Sequence, residues 1–260
     1  MSARLAILLL AVVLAVQVAA EHKCGGCATY KITFHSFWTA ARFPTDFPAG
    51  NAHWSRMVGS SHDNRYELWA PGKLASQGVQ NVAEQGDITA IKTEMESKLD
   101  GPVYRVFTAA TGFSQPASYE TSTDSFLVSG YQSLVSVVSM IAPSPDWFVG
   151  LHGVETCVNQ KFVQVMNITA HLYDAGTDSG TTYTSGNSAQ NPHVNIFRFT
   201  NTNPASGPFH NAAGPALHSF GYFLVQKIGD TITDSDACRK LEVSSSSSSS
   251  SSADTDGEVS

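Results

Sequence analysis

The 260-residue sequence predicts a mainly β protein, an antiparallel β-sandwich of about eight strands with one or two helices inserted between early strands. Three observations predict it. Eight short runs are rich in β-branched and aromatic residues, with Gly, Pro, Asn and Ser between them. Most connections are too short for the helical crossovers that parallel strands require. Helical periodicity is confined to one region, between the first strand and the second.

The chain opens with MSARLAILLLAVVLAVQVAA, in which one cation, Arg4, precedes a long apolar run ending in Val18, Ala19 and Ala20. That layout predicts a secretory signal peptide over residues 1–20, cleaved after Ala20. No second apolar run is long enough to span a bilayer, so the mature chain is expected to be secreted rather than membrane-spanning. TYKITFHSFW follows, alternating so that Tyr30, Ile32 and Phe34 share one face. The helical region is GDITAIKTEMESKLDGP, where Ile88, Ile91, Met95 and Leu99 recur at steps of three and four. Asp87 caps its start and Gly101-Pro102 ends it, and a weaker helix over Ala75 to Gln85 precedes it, stopping at Gly86. These helices are expected to form a lid on one end of the sandwich. The remaining strand runs are VYRVFTA, SFLVS, SLVSVVSMI, WFVGL, KFVQVMNITAHLY, VNIFRFT and SFGYFLVQKI.

After Val243 the composition changes: nine serines, Ser244 to Ser252, lead into ADTDGEVS. With almost no apolar side chain to bury, residues 244–260 are expected to be a disordered tail, leaving 21–243 as one domain. The formal charge of −7 becomes −8 without Arg4, and three acids, Asp254, Asp256 and Glu258, sit in that tail. A folded part so mildly acidic, with no basic stripe, excludes a nucleic-acid partner.

Four cysteines, Cys24, Cys27, Cys157 and Cys238, point to disulfides in a secreted chain. A Cys24–Cys27 bond would tie down little, so both are expected to pair at long range, one with Cys157 and one with Cys238. A zinc site is the rival reading of CGGC, weakened by the absence of a second local Cys or His pair. One glycosylation sequon, Asn167-Ile168-Thr169, lies inside a strand whose two faces both mix apolar and polar residues, which leaves the exposure of Asn167 open.

Catalytic signatures are missing: no Gly-x-Ser-x-Gly, no His-Glu-x-x-His and no phosphate-cradling glycine loop. His171, Asp174 and Ser179 make a triad only on paper, and no enzymatic activity is expected. Oxygen chemistry is better represented. Asp146 stands between two prolines and a strand in IAPSPDWFVG, and Asp174 and Asp178 lie four apart in YDAGTDSG. Asp is a common turn residue, and that alone accounts for such positions. Loop carboxylates gathered at one end of a sandwich also suit Ca²⁺, which takes six to eight hard oxygen ligands.

SLVSVVSMIAPSPDWFVG and LYDAGTDSG resemble signature segments of the spondin N-terminal domain family, of the F-spondin and mindin type. YKITFHSFW, HWSRMVGSSHDNRYELW and GKLASQGVQNVAEQGD resemble others, in the family's order, over about Ala28 to Ile228. The resemblance implies a C2-like β-sandwich, non-enzymatic, in the extracellular matrix, with a bound Ca²⁺. It implies that Asp146 and Asp174 hold the ion and that a third, glutamate ligand falls on Leu127, which would weaken the site unless Asp124 or Asp178 compensates. The thrombospondin type 1 repeats and reelin-like domain of such proteins have no counterpart in these residues, so partners of those repeats are not carried over. Two readings follow: a module binding matrix or cell-surface proteins, or a soluble lectin-like defence protein for microbial glycans with Trp38, Trp54 and Trp69 exposed.

Overall fold

The computed structural model describes residues 24–233 together with Cys238. The expected signal peptide, residues 1–20, and the poly-serine tail, residues 244–260, lie outside the described residues. The strands are β1 (Cys27–Ser36), β2 (His53–Trp54), β3 (Val58–His62), β4 (Val103–Thr108), β5 (Phe113–Ser114), β6 (Glu120–Ser122), β7 (Phe126–Ser129) and β8 (Leu134–Ala142). They continue as β9 (Trp147–Glu155), β10 (Cys157–Val158), β11 (Lys161–Phe162), β12 (Val165–Ala170), β13 (Leu172–Asp174), β14 (Phe197–Arg198) and β15 (Gly221–Lys227). Two helices, α1 (Gln77–Gln85) and α2 (Thr89–Glu96), lie between β3 and β4.

One sheet runs β12-β15-β1-β6, with β7 also on β1; the other runs β14-β13-β9-β8-β2-β5, with β3 joining β8 to β4. All the pairings between these strands are antiparallel. Between the sheets lies an apolar core in which Tyr30, Ile32 and Phe34 of β1 meet Val137 and Val149. Period-2 alternation in β1 therefore does what it predicts. Phe34 packs edge-on against Trp54 at 4.9 Å and stacks on Phe223 at 4.8 Å.

The helices sit elsewhere than expected. They cover the outer face of the larger sheet, not an end of the sandwich: Val79, Val82, Ile91 and Met95 close a second core over Val58, Val138 and Phe148. The reason lies in β8, whose eight residues Val135–Ala142 are all buried. A strand apolar on both faces needs cover on both. Ser76 caps α1 by accepting from the Val79 N–H, and Gly86 closes it at φ 69°. In α2 the Asp87 carboxylate accepts from the Thr89 N–H, as the sequence suggests. The helix stops at Glu96, short of Leu99, which is 39% exposed, because the Val103 N–H turns back to the Lys98 carbonyl to start β4.

Both N-terminal cysteines pair at long range, Cys24 with Cys157 and Cys27 with Cys238. No free cysteine remains among the described residues, so the zinc reading falls. Trp38, Trp54 and Trp69 are buried, at 0%, 1% and 3% exposure. The aromatic surface that motivated the lectin-like reading is thus core.

Candidate metal centre

Pro143 and Pro145 cannot donate to a ladder, so β8 ends at Ala142 and the chain turns before β9. Asp146 closes that turn and is fully buried. Asp174 ends β13, directly opposite Trp147 in the register, so strand pairing carries it alongside Asp146. The two loops are also joined through the backbone, the Ala175 N–H donating to the Asp146 carbonyl at 3.0 Å.

The Asp146 carboxylate is half satisfied. Its Oδ2 accepts from the Thr177 N–H at 2.8 Å, the Asp178 N–H at 3.1 Å and the Thr177 hydroxyl at 3.3 Å. Its Oδ1 is buried with no hydrogen-bond partner. Asp174 Oδ1 accepts from the Gly176 N–H at 2.8 Å. Gly176 adopts φ 73°, and a Cβ there would lie 2.2 Å from the Val194 carbonyl oxygen, so this turn requires glycine. Asp178 is spent on its own loop: Oδ1 accepts from Gly180 and Oδ2 from Ser188, both at 2.7 Å.

Electrostatics set this pair apart. Burial pushes the Asp146 carboxyl up, against the lowering effect of the Thr177 and Asp178 amides. Burial pushes Asp174 up further, with the Asp146 charge adding to it. The Trp147 indole N–H faces Asp174 without making a hydrogen bond of regular geometry. Among the described residues the ion pairs are His35–Glu120, Asp63–Arg65 and Lys92–Glu96, so no protein cation compensates Asp146 or Asp174. Trp147 packs on Phe199 and Tyr183, which makes the floor apolar. A cleft of about 170 Å³, lined by Trp147, Asp174, Asp178 and Gln190, reaches Asp174; Asp146 lies behind it and is not part of its lining.

Two close carboxylates without a counter-ion either share a proton or hold a cation. The donors are hard oxygens, which suit Ca²⁺ rather than a soft metal. No group of three His, Cys, Asp or Glu side chains converges to hold a metal among the described residues, so further ligands would be carbonyl oxygens and water.

The structure brings Asp146, Asp174 and Asp178 together and leaves the other candidates apart. Asp124 is exposed beyond β4: its N–H donates to the Thr108 carbonyl, and Thr108 stands opposite Val58, itself opposite Val138. Leu127 pairs with Thr29, and its carbonyl accepts from the Ser61 hydroxyl. Ser61 stands opposite Val135, near the start of β8, whereas Asp146 lies past its end. Seven residues of strand, about 23 Å, separate those levels. Asn167 is exposed on β12. The paper triad does not form, since the Ser179 hydroxyl binds Ser188 and Asp174 turns to Gly176. A Ser–His contact does exist, His62 Nε2 to Ser136 Oγ at 2.8 Å, but both residues are about 1% exposed and closed to any substrate. Sequence reasoning missed Thr177, which donates twice to Asp146; an Asp-x-Gly-Thr turn after a strand was the available signal.

Residues 28–219 match the family model described as Spondin_N. Spondin-1 of Gallus gallus is 34% identical over 211 residues, covering 78% of this chain and 26% of that protein. Spondin-2 of Homo sapiens is 33% identical over 182 residues, covering 68% of this chain and 54% of that protein. Spondin-2 of Rattus norvegicus is 34% identical over 197 residues, covering 74% and 58%. The chain thus spans about a quarter of the spondin-1 length and little more than half of spondin-2.

Proposed function

Because the chain belongs to the spondin N-terminal domain family, we propose that it is a secreted, non-catalytic module binding extracellular-matrix or cell-surface proteins, with Ca²⁺ holding one loop end of the sandwich. The observation that carries the calcium part is the buried, partnerless Asp146 Oδ1 beside a second buried carboxylate with no protein cation. Asp146 and Asp174 would hold the ion, and its charge would turn their repulsion into attraction across two loops. Two long-range disulfides support an oxidising compartment, and no helix among the described residues is long and apolar enough to cross a membrane.

Binding in the native state alone stabilises by RT ln(1 + [Ca²⁺]/Kd), about 2.7 kcal/mol at a hundredfold excess over Kd. A thermal melt in calcium against chelator reads this directly, and coincident curves at millimolar calcium would remove the ion from the proposal. The binding part is tested by solid-phase assays on matrix proteins and on cells. Failure to bind any such preparation, with the protein folded, would sink it.

A further inference from the structure

The smaller sheet has an open edge. Among the described residues, β12 pairs with β15 on one side and with no strand on the other. Its burial alternates: Val165, Asn167 and Thr169 are exposed, while Met166 and Ile168 pack against the main core. A one-residue slip would swap these faces and expose Ile168, so the core fixes Asn167 outward. The sequon left ambiguous by the sequence is therefore presented to solvent, with its acceptor and its threonine on the same face.

The surface beside it is less polar than an exposed sheet face needs to be. Asn167 stands opposite Leu224, Thr169 opposite Tyr222 and Val165 opposite Gln226. Leu224 and Tyr222 are half-buried and Val165 is 54% exposed. Tyr222 stacks on His35 at 4.5 Å, which sets its ring as a flat surface one strand away from the sequon. Directly opposite side chains on one sheet face have Cβ atoms about 5 Å apart, well within reach of a sugar on Asn167.

We propose that Asn167 is the acceptor of an N-linked oligosaccharide, that its first sugars lie over Leu224 and Tyr222, and that the branches beyond them screen the open β12 edge. In the transfer, Asn167 Nδ2 bonds to the anomeric carbon of a lipid-pyrophosphate-linked oligosaccharide. The carbon–oxygen bond to pyrophosphate breaks, the lipid pyrophosphate leaves with that electron pair, and the amide proton passes to a base of the transferase. A bulky hydrophilic group at this edge would block the unpaired N–H and C=O groups from templating another strand. The inference rests on the secreted part of the reading above.

The test separates the two. The chain is expressed in mammalian cells once with its own first 20 residues and once behind an established leader. The secreted product is then digested and the peptide carrying Asn167 analysed by mass with and without peptide-N-glycosidase. Expected is a glycosidase-sensitive oligosaccharide on Asn167, retained in Thr169→Ser and lost in Thr169→Ala and Asn167→Gln. An unmodified Asn167 in protein exported by the established leader overturns the assignment. Failure of export with the chain's own leader alone counts only against the secreted reading. Sedimentation at rising concentration checks the screening role: the Asn167→Gln protein should self-associate where the glycosylated protein stays monomeric. Identical behaviour of the two would overturn that role.

Discussion

At one end of the sandwich, around the start of β8, the buried His62 ring has found neutral partners on both nitrogens, although the Ser60 hydroxyl opposite Ser136 has none. The His62 ring bonds the Asp63 carbonyl through Nδ1 and the Ser136 hydroxyl through Nε2, and Ser136 Oγ also accepts from the Gly153 N–H. Cys24–Cys157 ties the same end covalently, and the Tyr30 hydroxyl donates to the Val163 carbonyl at 2.6 Å. At the other end, past β8, Asp146 and Asp174 are buried with no protein cation beside them among the described residues and with one oxygen unpartnered. Each end joins loops distant in sequence. One is tied by a disulfide and neutral hydrogen bonds, and the other holds two close buried carboxylates that either share a proton or take a cation. A buried polar network that satisfies itself is structural; one that does not is where a ligand is to be sought.

The largest effect should come from opening the covalent end. Cys157→Ser breaks a crosslink spanning 133 residues, and loss of such a bond from a secreted domain costs about 2–5 kcal/mol. Denaturant unfolding and secreted yield should both fall sharply, with or without calcium. A variant as stable as wild type would show that the disulfide end is not the anchor.

Next comes the acid end, where the sign of the effect depends on calcium. In chelator, Asp174→Asn removes a buried repulsion and should raise the melting temperature. In millimolar calcium the same variant should melt below wild type, because wild type gains about 2.7 kcal/mol at a hundredfold excess, roughly 5–10 °C for a domain this size. Asp146→Ala should likewise abolish the calcium-dependent rise. A variant shifted the same way in both buffers would mean that Asp174 is merely structural.

The two ends should also answer pH in opposite directions. A carboxyl whose folded value is raised holds its proton more tightly folded than unfolded. The chelated protein is therefore favoured below the ordinary carboxyl range near 4, and it loses that contribution as pH rises through the raised values of Asp146 and Asp174. Burial lowers His62 instead, so its contribution is complete above about 6.5 and is lost as pH falls through its depressed value. Melts of Asp174→Asn in chelator should keep the acid-side loss and show a smaller alkaline-side loss, the part that buried Asp146 still contributes. Calcium stabilisation of wild type should grow from pH 5 to pH 8, which isothermal titration can follow.

How much of this was legible beforehand follows from which forces are local. The inward face of β1 and the α1 stop at Gly86 are written in spacing and in single residues. The disulfide partners are legible only as a set, because pairing is decided by which strands meet. β8 reads as a strand, but nothing in VSVVSMIA says that helices cover its second face. Asp146 and Asp174 come from loops that converge only through the β9–β13 register, so composition alone leaves each as a turn residue. Asn167 becomes assignable to a face only once β15 has fixed the register of β12.

The smallest expected effect is the most pointed. Family resemblance assigns a third ligand to the position of Leu127, and by that reasoning Leu127→Glu should tighten calcium binding. The register argues otherwise. Leu127 belongs to the disulfide end: it pairs with Thr29, two residues from Cys27, and its carbonyl is held by Ser61 opposite Val135. The carboxylate of a glutamate reaches only a few ångströms from its backbone, whereas about 23 Å of strand separates this level from Asp146. A single charge at that distance is largely screened, since the Debye length is about 8 Å at physiological ionic strength. Leu127→Glu should therefore leave calcium affinity unchanged, and it should change stability by no more than the loss of a half-buried leucine contact, about 1 kcal/mol. Calorimetric titration of the variant against wild type decides the matter. A tighter calcium site would mean that β7 reaches the acid end in solution, and the division of the sandwich into a disulfide-tied end and an acid end would have to be redrawn.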